Sequence, residues 1–129
     1  MYGDFSVTLG FVPTRRGMFN KQSAIKNKSI IRKAMTDLVK DDPDVRIVDI
    51  DWLNEDGFLI DEKDVKKVAA HFRKENVDAV FFCHCDFGSE EVVGKLGKAL
   101  GKPVLLWGPR DEAPPQDFSP RQTDTQCGL

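Results

Sequence analysis

Cysteine, histidine and long apolar runs are scarce in this chain of 129 residues, which has three cysteines and two histidines. The odd thiol count does not suit a disulfide framework, and a bridge between Cys83 and Cys85, one residue apart on a strand, would be strained. No window approaches the roughly 18 consecutive apolar residues of a transmembrane helix. The N-terminus shows no basic stretch followed by an apolar one, as a signal peptide would. We therefore expect a reduced, cytoplasmic chain with no membrane partner.

Excess charge of either sign is also lacking. The chain has 19 basic and 21 acidic residues and a formal net charge of -2, which removes the compositional case for a nucleic-acid partner. Hydrophobic residues make up 40% of the chain. That share can fill one core, and the length is that of one domain.

Several common signatures of chemistry are missing. The first strand is followed by Pro13-Thr14-Arg15-Arg16-Gly17 rather than a GxGxxG turn, and no GxxxxGK[ST] motif is present. The sequence therefore predicts neither a dinucleotide-binding site nor a P-loop. With only His71 and His84 available, neither a metal site nor a catalytic triad can be assembled. No residue is therefore assigned a catalytic or metal-binding role.

Four apolar runs predict strands, and three stripes between them predict helices. The strand runs are Phe5–Val12, Val45–Ile50, Ala79–Cys83 and Val104–Trp107. The helical stripes lie within 25–39, 65–72 and 92–100, the second opened by Asp61 and the third opened by Ser89 and closed by Gly101. The alternation predicts an α/β fold, an open doubly wound parallel sheet of the Rossmann or flavodoxin type. We expect about four strands in the order 2-1-3-4 with three helices.

The continuous third and fourth runs are typical of strands covered on both faces, so both are interpreted as central. The expected core comprises Val7, Leu9, Phe11, Val80, Phe81, Phe82, Val104, Leu105 and Leu106. We expect residues 1–107 to form this domain. Residues 108–129 hold four of the seven prolines and predict an irregular linker or arm. We also expect that the chain is cut short after Leu129, because it ends on Cys127-Gly128-Leu129 without a polar tail.

In an open α/β sheet, ligands bind at the carboxyl ends of the strands where the strand order reverses. Here that point lies between the first and third strands. The loop after the first strand lies in a stretch from Phe5 to Thr36 that has no acidic residue, and Arg15 and Arg16 are the first basic residues of this stretch. These arginines predict an anion or polyol site, or else part of a solvated basic face.

The loop after the third strand reads Cys83-His84-Cys85-Asp86-Phe87-Gly88-Ser89-Glu90. His84, Asp86 and Phe87 could line a ligand pocket at its edge. A metal site would need Cys83, His84 and Cys85 to converge, although neighbours on a strand point to opposite faces. An activated cysteine nucleophile and small buried cysteines are the remaining alternatives.

Three segments, in this order and spacing, resemble the N-terminal region of L-fucose isomerase-like proteins, of the L-fucose and L-arabinose isomerase superfamily. They are Gly10-Phe11-Val12-Pro13 with the following arginines, the segment 83–90, and Leu106–Glu112 together with Asp124–Leu129. The resemblance covers nearly the whole chain but only the first domain of a family member. In the fucose enzyme's motif a tryptophan stands where this chain has His84, and one residue stands where it has Asp86 and Phe87.

The resemblance implies an N-terminal Rossmann-like domain of an aldose–ketose isomerase, an intramolecular oxidoreductase of carbohydrate metabolism. In that family this domain closes the active site of a neighbouring subunit with an arginine after the first strand and an aromatic residue after the third. The implied substrate-binding residues are Arg15, Arg16, His84, Asp86 and Phe87. The resemblance further implies a neutral sugar substrate, contacts with other domains and subunits, and a divalent metal, usually manganese, in downstream domains. No cofactor is expected in this chain, which should be inactive alone.

A second hypothesis is a stand-alone flavodoxin-like module that binds a small anionic or phosphorylated ligand. Its support is the basic loop after the first strand.

Overall fold

The computed structural model describes residues 5–117, 119 and 122–129. In chain order the elements are β1 (Val7–Thr14), α1 (Lys21–Val39), β2 (Val45–Val48), α2 (Val65–Lys74), β3 (Ala79–His84), α3 (Glu90–Leu100) and β4 (Val104–Trp107). Short 3-10 turns cover Glu62–Asp64 before α2 and Thr125–Gly128 near the end of the chain. Among the described residues, no helix is both long and apolar enough to cross a bilayer.

The four strands form one parallel sheet in the order β2-β1-β3-β4. The predicted α/β class, strand order and three helices are therefore confirmed. At the centre of the sheet Phe11 of β1 lies opposite Phe81 of β3, and the pairing continues to Thr14 opposite His84. Strand β1 thus reaches two residues beyond the predicted end at Val12, which brings its carboxyl end level with that of β3.

Local side-chain chemistry sets the helix boundaries. Asn20 accepts a hydrogen bond from the Ser23 amide at 2.9 Å and so caps α1. The helix therefore begins at Lys21, four residues before the predicted apolar stripe. Gly101 ends α3 in the left-handed conformation, with φ of 61°, as the sequence predicts. Asp61 caps the 3-10 turn ahead of α2, where its side chain accepts from Lys63.

The sheet buries a separate apolar cluster on each face. One cluster joins α2 and α3 to the sheet through Val12, Val68, Phe72, Val80, Phe82, Val92 and Leu96. The other joins α1 to the sheet through Phe11, Ala24, Ile31, Phe58, Phe81, Cys83 and Cys85. Two helices therefore cover one face, and a single helix covers part of the other.

The interpretation of the fourth run as a central, buried strand is wrong. Strand β4 is at the edge of the sheet, and Leu105 and Val104 are 61% and 45% exposed. Val7 is also exposed, because β1 pairs with β3 only from Leu9 onward. The expected core positions on β1 and β3 are otherwise partly or fully buried: Leu9, Phe11, Val80, Phe81 and Phe82. Leu106 of β4 packs against the α2–α3 cluster.

The exposure of β4 leaves an apolar cleft of about 510 Å³ between α1 and the sheet edge. Its lining includes Met35 and Leu38 of α1, Phe81 of β3, and Leu105 and Trp107 of β4. Helix α1 packs over β1, β2 and Phe81 and Cys83 of β3. Among the described residues, only the same face of the edge strand β4 has no helix above it, and its Leu105 and Trp107 are exposed.

Candidate functional site

The carboxyl edge of the sheet brings the two predicted loops side by side. Cys85 donates its backbone N–H to the Thr14 carbonyl at 3.0 Å, immediately after the last pairing of β1 with β3. The loop after β1 and the loop after β3 therefore start from one point. This is the position between β1 and β3 at which the strand order reverses.

Asp86 holds the two loops together. Its carboxylate is fully buried, and Oδ1 accepts the backbone N–H of Arg16 at 2.7 Å and that of Gly88 at 2.9 Å. Burial raises the pKa of Asp86, and these two amides and Arg15 act in the opposite direction. Asp86 thus links the two loops from below the exposed surface of the carboxyl edge, which we call the rim. Its role there is structural.

Arg15 is buried beside Asp86. Its Nε lies 3.6 Å from Asp86 Oδ2, and neither of these atoms has a hydrogen-bond partner among the described residues. Another nitrogen of the guanidinium, Nη2, donates to the Phe19 carbonyl at 3.3 Å. The Arg15 guanidinium therefore points into the protein, toward the Asp86 carboxylate.

Arg16 and Phe87 form the outer surface of the rim. The Arg16 guanidinium lies 4.4 Å from the centre of the Phe87 ring, a cation–π distance. Its Nε donates to the Gly88 carbonyl at 3.1 Å, and Nη2 contacts Glu90 Oε2 at 2.6 Å. Phe87 in turn stacks on Phe19 with ring centres 5.7 Å apart. The result is a positioned guanidinium, 36% of its side chain exposed, beside a half-buried aromatic ring.

His84 is fully buried beneath the C-terminal segment. Its Nε2 lies 3.0 Å from the Gly128 carbonyl, and its Nδ1 lies 2.6 Å from Thr14 Oγ1. A carbonyl only accepts, so Nε2 carries the proton and Nδ1 accepts from the Thr14 hydroxyl. Burial lowers the pKa of His84, and the bond to Gly128 only partly offsets this. His84 therefore fastens the end of the chain to the sheet.

The cysteines occupy the α1 side of the sheet. Cys83 and Cys85 are fully buried, with their Sγ atoms 3.9 Å apart. The contact with Cys83 and burial raise the pKa of Cys85 well above its ordinary value, which disfavours the thiolate that a nucleophile needs. Within the described part of the chain, no three His, Cys, Asp or Glu side chains gather as metal ligands would.

Most of the basic charge after β1 is matched by nearby carboxylates. Lys28 of α1 pairs with Asp51 at 2.7 Å, and Arg32 pairs with Asp49 at 2.6 Å. Burial opposes ionisation of Asp51, but its bonds to Lys28 and Arg32 outweigh burial and lower its pKa. Helix α1 thus faces carboxylates of the β2–α2 connection. Arg15 and Arg16 likewise lie beside Asp86 and Glu90. The loop charge that motivated the anion-binding module is largely neutralised inside the molecule.

Sequence reasoning missed two features of this edge. The first is the role of Asp86 in linking the two loops. The Asp86-Phe87-Gly88 spacing could have indicated it, because an aspartate side chain often accepts a hydrogen bond from the backbone amide two residues later in the chain. The second is the bond from His84 to Gly128. This bond joins residues that are 44 positions apart in the chain, so no local sequence pattern predicts it.

The fold and this edge define a class: a doubly wound α/β domain with an arginine and an aromatic ring at its switch point. The chain belongs to the family described as the fucose/sulfoquinovose isomerase N-terminal domain, which it matches over residues 10–129. This confirms the resemblance seen in the sequence. No curated protein sequence matches the chain.

Among solved structures, one described as the solution structure of a phosphate-loop protein is similar to the chain. The two share 20% sequence identity with a TM-score of 0.40, over 79% of this chain and 76% of the other. A similarity at this level carries no functional information.

Proposed function

We propose that this chain is the substrate-closing and oligomerisation domain of a sugar isomerase, and that it is inactive alone. The observation that carries the proposal is the Arg16–Phe87 pair at the carboxyl edge, in a chain of the isomerase N-terminal domain family. The family's description names fucose and sulfoquinovose, a neutral and a sulfonated sugar. The ligand is thus proposed to be a sugar reached by this edge when another domain or subunit covers it.

Arg16 and Phe87 have the chemistry that a sugar surface requires. A guanidinium donates to hydroxyl oxygens, and an aromatic ring packs against the apolar face of the pyranose. Both side chains are partly exposed. Arg15, His84 and Asp86 are buried beneath them, so we assign these three to positioning the rim rather than to ligand contact. In particular, Phe87 rather than His84 presents the aromatic surface.

Water-exposed hydrogen bonds to a hydrated sugar add little net affinity. The rim therefore gains its effect when a second surface excludes water from it. This argues for closure over an active site built elsewhere. Moving a proton between adjacent sugar carbons needs a positioned base and an electrophile, and we assign these, with manganese or another divalent metal, to downstream domains.

Arg16→Ala in the full-length enzyme tests the closing role. With Mn²⁺ and L-fucose or the other aldose it turns over, kcat/KM should fall by the equivalent of about 1.5–3 kcal/mol, the worth of one charge-assisted hydrogen bond. The domain should remain folded, since the Arg16 side chain is not part of either core. Lys66→Ala removes an exposed cation of α2 and is the control. An unchanged kcat/KM in the Arg16 variant would reduce the residue to part of a solvated face.

The 129-residue chain itself should not interconvert aldoses and ketoses in the presence of Mn²⁺. Turnover by the purified chain that a chelator abolishes would show that the chemistry lies here and would refute this part of the proposal.

A further inference from the structure

Glu90, the first residue of α3, directs its carboxylate to the rim. Its Oε2 lies 2.6 Å from Nη2 of Arg16, while Nε of the same guanidinium donates to the Gly88 carbonyl at 3.1 Å. The guanidinium carbon lies 4.4 Å from the centre of the Phe87 ring. These contacts fix the orientation of the guanidinium but occupy only part of its N–H donors, and the others remain for a ligand.

Helix α3 begins with two glutamates, and the first of them contacts Arg16. Glu90 and Glu91 both lie in the first helical turn, where the helix dipole favours negative charge. Their side chains are 66% and 64% exposed. Glu91 pairs with Lys95 of its own helix at 2.7 Å. The helix terminus alone therefore does not account for the contact of Glu90 with Arg16, because Glu91 places the same charge at the same terminus.

The two arginines after β1 each lie beside a carboxylate of the same domain. Arg15 lies beside the buried Asp86, and Arg16 lies beside Glu90. An exposed ion pair such as Arg16–Glu90 adds little to stability. The pair gains importance when a second surface covers the rim, because exclusion of water strengthens charge interactions and makes an unpaired buried charge costly.

A counter-charge that belongs to the protein suits an uncharged ligand. With an uncharged sugar in the closed site, Glu90 balances Arg16, and the remaining N–H groups of Arg16 donate to hydroxyl oxygens. A sugar that carries a sulfonate or phosphate would bring its own negative charge to Arg16. Glu90 would then be a second anion at the same guanidinium, and its repulsion would oppose binding of the charged sugar.

We propose that Glu90 is a specificity-determining residue of the rim, which holds Arg16 in place, balances its charge and thereby favours uncharged aldoses over aldoses with an anionic substituent. The inference rests on the proposed function, since it requires that the rim closes over the sugar. Glu90 acts on the sugar through Arg16 and is in that sense a positioning residue.

The test uses the full-length enzyme with Mn²⁺ and a neutral aldose that it turns over, such as L-fucose. Two sugars that differ only in a sulfonate, 6-deoxyglucose and sulfoquinovose, are compared as competitive inhibitors of that reaction. The parent enzyme should have the lower Ki for 6-deoxyglucose. The ratio of the two Ki values isolates the effect of the sulfonate, which a purely structural role of Glu90 would not change.

Glu90→Gln keeps a hydrogen-bond acceptor for Arg16 but removes the negative charge. The Ki for sulfoquinovose should fall at least about tenfold relative to that for 6-deoxyglucose, equivalent to about 1.4 kcal/mol. Glu91→Gln removes the same charge from the same helical turn, at an equally exposed position, and should leave the ratio as it is in the parent.

Three results would overturn the proposal. They are a parent enzyme that binds sulfoquinovose more tightly than 6-deoxyglucose, a parent that turns over no neutral aldose, and a Ki ratio that is unchanged in the Glu90 variant or altered equally in the Glu91 variant. Arg16→Ala separates this inference from the proposed function. If Arg16→Ala lowers kcat/KM while Glu90→Gln leaves the Ki ratio unchanged, the rim closes over the sugar but Glu90 does not select it. If neither variant has an effect, the closing role fails as well.

Discussion

Asp86 is a carboxylate in a fully buried position, with one cation and two amides directed at it. Asp86→Asn would leave the Arg15 guanidinium buried without its counter-charge, a change that costs about 3–5 kcal/mol in comparable buried pairs. We expect a loss of that order in the free energy of unfolding, measured by urea denaturation at neutral pH. Asp44→Asn, at an exposed position, should change stability by less than about 0.5 kcal/mol. Equal changes in the free energy of unfolding for the two substitutions would show that Asp86 does not stabilise the two loops.

His84 gives stability a dependence on mildly acidic pH. Because burial lowers its pKa from the ordinary 6.5, the unfolded chain takes up a proton at a higher pH than the folded chain does. The stabilising contribution is therefore complete above 6.5 and is lost as the pH falls toward the folded-state pKa. The free energy of unfolding should therefore decline as the pH falls through 6.5, and His84→Gln should flatten that decline.

His71→Gln is the matched control for the loss of a histidine from the chain. If it flattens the profile as much as His84→Gln does, the pH dependence does not come from the bond between His84 and the C-terminal segment.

At the scale of elements, the 3-10 turn Thr125–Gly128 lies directly on the loop after β3. A Cβ at Gly128 would fall 1.7 Å from the Phe87 carbonyl oxygen, so Gly128→Ala forces the turn away from the loop. We expect this variant to show faster hydrogen exchange and proteolysis in residues 122–129 while the sheet stays protected. Gly94→Ala on α3 meets nothing within 4 Å and should instead stabilise the helix by up to about 1 kcal/mol. Unchanged exchange in the Gly128 variant would contradict the packing described.

The elements themselves were largely predictable, because apolar periodicity and caps are local. The pattern located all four strands and three helices, and Gly101 marked the end of α3. The exposure of β4 was not predictable from the run Val104–Trp107, since an apolar run does not report whether a helix covers it. The loops of the site could be placed at one edge by topology, whereas the inward orientation of Arg15 and His84 depends on Asp86 and Gly128, which lie 71 and 44 residues away in the chain.

At the scale of the whole molecule, the face of β4 that borders the cleft beside α1 is an exposed apolar surface, formed by Leu105 and Trp107. An apolar dye such as ANS should bind the native protein there, since dyes of this kind associate with exposed hydrophobic surface. Leu105→Lys should lower the fluorescence enhancement without loss of the folded state, because Leu105 is 61% exposed. Ile60→Lys, at an exposed position outside the cleft, should not. Equal fluorescence in all three proteins would mean that the dye binds elsewhere.

The order β2-β1-β3-β4 has a consequence for synthesis on the ribosome. Strand β1 is central, but its partner β3 follows late, and Thr14 and His84 are separated by 70 residues. At about 5–20 residues per second, the nascent chain presents one edge of β1 unpaired for about 4–14 s before β3 is made. Until then Phe11 lacks the cross-strand neighbour against which it stacks. We therefore expect chaperones that bind apolar segments to associate with the part of the chain that is made before β3.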